Sequence, residues 1–224
     1  MAAAGWVLHV RTSNAHAATV APRQAGGGTT EKDPLCRLLS QRCGPLPARL
    51  TTEEKQMTDR SPDPTLDRLL RHMAWANAQL IARLAEQPGD ALGLTAPMNE
   101  WSAGRILAHL VNAAGGYASR LEGVPRPEDI DTPTSAAQLA ALGGRLAGFD
   151  ARLRAQATAP DVPVAHLDPT RPVRARSTIL AQAIHHATEH RAQIAGALST
   201  NGNGAIDLDA IDMWEYGDAE GLGA

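Results

Sequence analysis

From Pro64 onward, apolar residues return every three or four positions, the spacing of a helix with one buried face. Leu66, Leu70, Met73, Leu80 and Leu84 form the first stripe, with Asn77 set into it, and Pro88-Gly89 stops it. The pattern predicts a helix of about 22 residues. Ser102 stands where an N-cap belongs, and Ile106, His109, Ala113 and Tyr117 follow on one face until Gly123-Val124-Pro125. A third stripe, Leu139, Leu142, Leu146, Phe149 and Leu153, opens at Thr134-Ser135 and is expected to supply packing only. Gly143 and Gly144 cost that helix about 1 kcal/mol each relative to alanine, but let a neighbouring helix come close. The stretch from Thr158 to Ser177, rich in Pro, Val and Arg, reads as a functional lip or an extended excursion. Ser177 is expected to cap a fourth helix that ends by Asn201-Gly202-Asn203-Gly204. The acidic segment from Ile206 to Ala224, with Trp214 and Tyr216, is expected to fold back on the rest. Four amphipathic segments joined by connections of mixed length predict an all-α protein, a four-helix bundle over residues 61–220.

Residues 1–60 differ in kind. Gly26-Gly27-Gly28-Thr29-Thr30 and scattered prolines surround a single short apolar group, Leu35, Leu38 and Leu39, so a disordered extension is expected. Charge divides in the same place: Met1 to Gln56 holds seven basic and four acidic residues, +3, and Met57 onward holds fourteen and twenty, −6. Met-Thr-Asp-Arg-Ser-Pro from Met57 reads like a natural N-terminus. Cys36 and Cys43 lie in the extension and are read as free thiols. A formal charge of −3 and a pI near 6.2 give no support to a nucleic-acid partner. No run of 18 apolar residues suggests a membrane span, and a cytoplasmic protein is expected.

The chemistry sits on the fourth helix. Its stripe runs Ile179, Ala183, His186, His190, Gln193, Ala197, so two histidines one turn apart take positions expected to face the core. An inward polar group without a partner costs about 1 to 3 kcal/mol, and a metal ion is such a partner. His185, about 100° round the helix from His186, points elsewhere. His72 lies off the apolar stripe of the first helix. His109 alone would read as a satisfied core histidine, and Asn77 as a satisfied amide or a functional one. Beside the pair on helix four, His109 becomes a third ligand. Three neutral imidazoles suit Zn²⁺, Ni²⁺ or another borderline divalent ion and leave a position open for water or substrate. Metal binding is expected to weaken below the ordinary histidine pKa of about 6.5. No second protein acid or base is identifiable from the sequence.

Trp101-Ser102, Ile106-Leu107-Ala108-His109-Leu110 and His186-Ala187-Thr188-Glu189-His190-Arg191-Ala192-Gln193-Ile194 together resemble the DinB-like, or YfiT-like, metal-binding bundles. The resemblance extends over about Pro64 to Gly217, with Trp75-Ala76-Asn77 and Asp207-Leu208-Asp209-Ala210-Ile211-Asp212 as further matches. It places the three metal ligands on His109, His186 and His190, and sets Arg191 and Gln193 just after the last of them. Ala192 replaces the usual glycine and Glu189 a frequent histidine. The resemblance implies a divalent-metal protein, usually a homodimer, in a superfamily that includes S-transferases using mycothiol or bacillithiol. A small-molecule thiol and an electrophile are then the expected partners, with no nucleic acid and no membrane. A non-catalytic metal-binding stress-response bundle and a metal-dependent hydrolase stand as the alternatives. All fourteen basic residues after Met57 are arginine, which suggests a high-GC genome and so a thiol of the mycothiol type.

Overall fold

The computed structural model describes residues 63–96 and 100–221. The expected extension over 1–60, with Cys36, Cys43 and Met57, lies outside them. Four long helices form the bundle: α1 Pro64–Ala85, α2 Ala103–Glu122, α3 Ala136–Ala155 and α4 Arg176–Ser199, followed by the short α5 Met213–Ala219. Each begins for a local reason. Pro64, with φ preset for a helix, opens α1, and Asp63 Oδ1 accepts from the amides of Thr65 and Leu66 at 2.8 and 3.0 Å. Ser102 Oγ accepts from the Arg105 amide at 3.3 Å, and Ser135 Oγ from that of Gln138 at 3.2 Å. Gln138 Oε1 accepts in return from the Thr134 amide at 2.7 Å. Gly123 closes α2 in the left-handed region at φ 69°.

The start of α4 departs from expectation. Ser177 lies inside the helix rather than capping it, because Asp161 reaches in from the preceding connection. Its two oxygens accept from the Ser177 amide at 2.9 Å and the Ser177 hydroxyl at 2.8 Å. The acceptor for the first turn therefore comes from sixteen residues upstream, a distance that local pattern does not reveal.

Contacts between the helices set the topology. α3 and α4 each lie between α1 and α2, which leaves α1 diagonal to α2. Arg154 near the end of α3 bonds Asp67 at the start of α1, so that pair is antiparallel. Arg152 of α3 bonds Glu122, the last residue of α2, so α2 and α3 run parallel. Asn77 meets Arg191, and Gln87 meets Asn203, making α1 and α4 parallel. The order is up, down, down, up. With α2 and α3 parallel, the chain must return along the whole of α2 before α3 begins. That return is pinned by Asn112, whose amide donates to the Ile130 carbonyl at 3.0 Å and accepts from its amide at 2.8 Å.

The core forms where the four apolar stripes meet, with Leu70, Leu80, Ile106, Leu110, Leu146 and Ile194 essentially sealed from solvent. Gly143 allows α1 and α3 to close: a Cβ there would lie 2.8 Å from Ile81 Cγ2, whereas one at Gly144 would meet nothing within 4 Å. The stretch after α3 becomes a small antiparallel ribbon, β1 Pro163–Val164 and β2 Arg174–Ala175, held against α2 by Arg120, which donates to the Val164 and Pro172 carbonyls.

After α4 the chain does fold back, burying Ile206, Ile211 and Tyr216. It also corrects the reading of His72. That residue is off the apolar stripe of α1, yet it is buried, because the returning segment covers it: its Nε2 lies 3.0 Å from the Ile211 carbonyl and its ring packs on Trp75 and Tyr216. No described helix is long and apolar enough to cross a membrane.

Candidate metal centre

His109 on α2 and His186 and His190 on α4 converge, and one nitrogen from each lies within 4.8 Å of the others. α2 and α4 are adjacent and antiparallel, which brings the early part of one against the middle of the other. His186 Nε2 and His190 Nε2 are 3.0 Å apart. Two nitrogens each about 2.1 Å from one tetrahedral ion stand about 3.4 Å apart, so the pair fits with a small outward movement. The His109 ring centre lies 5.1 Å from that of His186 and 4.9 Å from that of His190.

The surroundings fix which nitrogen faces the site. Gln193 Oε1 lies 2.7 Å from His190 Nδ1, and an amide oxygen only accepts, so Nδ1 carries the proton and Nε2 presents its lone pair inward. The edge of Trp101 packs on His109 with ring centres 5.1 Å apart, and Tyr117 packs on His186 at 5.7 Å. Burial lowers the pKa of all three histidines. His186 falls furthest, to about 3, first through desolvation and then through the neighbouring His190 and His109. For His109 desolvation again comes first, followed by His190 and the Arg126 guanidinium, with Asp129 opposing; desolvation also leads for His190, where Gln193 opposes it. At neutral pH the site holds three uncharged imidazoles, the ligating form.

The stripe on α4 is rotated from its expected place. Ala183, Ala187, Arg191, Ile194 and Leu198 run along the buried face, with His190 beside them, while His186 and Gln193 are half-buried at its edge. This rotation opens the centre: His109 and His186 line a groove of about 500 Å³ together with Tyr117, Arg120 and residues of the ribbon turn. The connection read as a functional lip or an extended excursion contributes His166, Leu167, Asp168 and Arg171 to the lining of this groove. His185 points to solvent, as expected.

The DinB family model matches residues 57–217. The chain belongs to the DinB family. That family binds metal, and the three histidines that lie together here are the group among the described residues with the donors to do so. Comparison with curated proteins finds no match. In this DinB chain α3 does more than pack. Asp150, 2% exposed, accepts from the Asn77 amide at 3.0 Å, and Asn77 Oδ1 accepts from Arg191 at 2.8 Å. Arg191 also donates to Thr188 Oγ1 at 3.0 Å. Desolvation raises the Asp150 pKa to about 6, against the opposing effects of Asn77 and Arg191. Asn77 is thus the satisfied amide of a buried relay that ties α1 and α3 to α4, one residue beyond His190.

Proposed function

We propose that His109, His186 and His190 hold one divalent ion, Zn²⁺ or Ni²⁺. In this reading the protein is a cytoplasmic homodimeric S-transferase joining a low-molecular-weight thiol, of the mycothiol or bacillithiol kind, to an electrophile. The observation that carries this is the open flank: two of the three neutral imidazoles, His109 and His186, line a groove wide enough for a small molecule, and no fourth protein ligand from the described residues closes the set. An ion bound there supplies Lewis acidity that lowers the pKa of a coordinated thiol. The chain's own residues prepare for it. Gln193 holds the His190 tautomer, burial keeps the imidazoles unprotonated, and Trp101 and Tyr117 limit water around His109 and His186. In the reaction the thiol S–H bond breaks and one sulfur–carbon bond forms, while the electrophile's bond to its leaving group breaks; with chlorodinitrobenzene the carbon–chlorine electron pair leaves as chloride and the thiol proton passes to solvent.

Two measurements on metal-loaded protein test the reading. With Co²⁺ in the site, adding a cysteine-derived thiol is expected to produce a sulfur-to-metal charge-transfer band. With Zn²⁺, thioether formation with chlorodinitrobenzene is expected to exceed that of chelated protein. A thiol-insensitive spectrum of a closed, four-coordinate site would instead favour an ion that only staples α2 to α4.

Gln193→Ala removes the acceptor that orients His190. Loss of such a partner lowers metal affinity by about 10- to 100-fold, a change expected here without unfolding and measurable by competition with a chromogenic chelator. Unchanged affinity would mean that the His190 tautomer is set by something else.

A further inference from the structure

We propose that the groove beside the histidines binds an organic anion with an apolar body, so that one of the two reactants carries a carboxylate or phosphate group. This rests on the reading of that groove as the reactant site, and deepens it by naming a substrate class.

Charge is the first observation. The sequence from Met57 onward is acidic, at −6, yet the groove is lined by Arg120 from α2, Arg126 from the return connection and Arg171 from the ribbon turn, with Asp168 as the single lining carboxylate among the described residues. That carboxylate is committed elsewhere: Oδ1 accepts from the amide and hydroxyl of Thr170 at 2.9 and 2.6 Å, and Oδ2 stands 3.9 Å from Arg171, beyond hydrogen-bond reach. Among the described residues the Arg171 guanidinium therefore keeps its hydrogen-bond donors. Arg126 spends one on Asp129 at 2.5 Å. Arg120 uses Nη2 to hold the ribbon through the carbonyls of Val164 and Pro172, at 3.2 and 2.7 Å, while its Nε is buried without a partner among the described residues. Desolvation lowers the Arg120 pKa, and the nearby charges of Arg174 and Arg171 add to it. A planar anion meets this set in the bidentate geometry that guanidinium groups favour.

The second observation is apolar. Val124 is 40% exposed and Leu167 61% exposed, and both line this groove. Val162 and Val173, the exposed apolar residues beside the ribbon strands, lie on the same connection. Large apolar side chains left in water around a concave, cationic surface fit a ligand with a hydrocarbon portion. An acid group held by Arg126 and Arg171 lays that portion along Leu167 and Val124 and turns the rest of the molecule toward His109 and His186.

Calorimetric titration of the full-length protein tests this with four probes: hexanoate, its neutral amide hexanamide, acetate, and hexyl phosphate. Each is run on metal-loaded protein and on protein stripped with chelator and then dialysed. Hexanoate is expected to bind at least about tenfold tighter than hexanamide or acetate in both forms, since one good charge-assisted contact is worth about that factor. The double variant Arg126→Gln/Arg171→Gln is expected to lose this advantage while keeping its metal, and Leu167→Ser to narrow the gap between hexanoate and acetate. Hexyl phosphate binding more tightly than hexanoate would identify phosphate as the natural anion, and the reverse a carboxylate. Equal binding of hexanoate and hexanamide overturns the proposal, as does a double variant that binds like the parent. Binding that vanishes on metal removal also overturns it, because the ion rather than the arginines then holds the acid. A protein that fails as a thiol transferase yet binds hexanoate when stripped separates the two readings.

Discussion

His109→Ala, His186→Ala and His190→Ala are each expected to lose most of the bound divalent metal, while His185→Ala and His72→Ala keep it. Losing only the partner that orients a ligand lowers affinity by about 10- to 100-fold, so losing a ligand costs at least the upper end of that range. His185 projects from the exposed side of α4. His72 is on the far flank of α1, with its Nε2 already engaged by the Ile211 carbonyl. Elemental analysis of the five variants, purified alike, decides the matter. If His185→Ala loses the ion and His186→Ala retains it, the phase of α4 is misassigned; if all five retain it, these histidines are not the site.

The structure also moves the expected pH response. Desolvation holds the three imidazoles below the ordinary histidine range, His186 at about 3. Protons therefore compete for the site at more acidic pH than the value of about 6.5 for a free histidine. These lowered values also govern the stability of the metal-free fold. The unfolded chain takes up protons that the folded one refuses, so stability is lost as pH falls below about 6.5.

The helices were legible because their signals are local. Ser102, Ser135, Pro64 and Gly123 act on neighbours within one turn, and the leucine stripes follow one period. The convergence of the three histidines was legible for a related reason, since His186 and His190 share a face and His109 sits on a stripe that must turn toward the core. What escaped depends on partners distant in sequence. Asp161 caps α4 from another segment, and His72 is buried only because Ile211 and Tyr216 come back over it. Asp150 had a faint signal: Leu146, Asp150 and Leu153 keep steps of four and three, which puts a carboxylate on the inner face. Phe149, next to it, satisfies the same period with an apolar side chain, so the pattern closes without the acid. The groove's arginines come from three separate segments, and no periodicity joins them.

Breaking the buried relay is expected to destabilise the bundle more than any surface change. Asp150→Leu leaves Arg191, 3% exposed, without a counter-charge, and Arg191→Met leaves Asp150 beside one amide. Removing one member of a buried pair costs about 3 to 5 kcal/mol, whereas replacing both with apolar groups of similar size is often neutral. The double variant Asp150→Leu/Arg191→Met should therefore be more stable than either single one, short of the parent by the roughly 1 to 3 kcal/mol of an orphaned Asn77 amide. Urea unfolding of metal-free protein measures the cycle, and strictly additive losses would show that the two charges do not act as a pair. The pH dependence gives a second check with its own sign. Asp150 titrates near 6 in the fold instead of 3.8, so between those values the folded chain keeps a proton that the unfolded chain has released. Its contribution accordingly falls as pH rises from about 4 to about 6 and is constant above, by about 3 kcal/mol in all. This is opposite in sign to the histidine effect. Comparing the parent with Asp150→Leu/Arg191→Met across that window isolates it, because the histidines are common to both: the double variant should gain stability relative to the parent as pH rises. A difference that stays flat from pH 4 to 6 would mean that Asp150 is ionised throughout, and that Arg191 and Asn77 outweigh the cost of burying it.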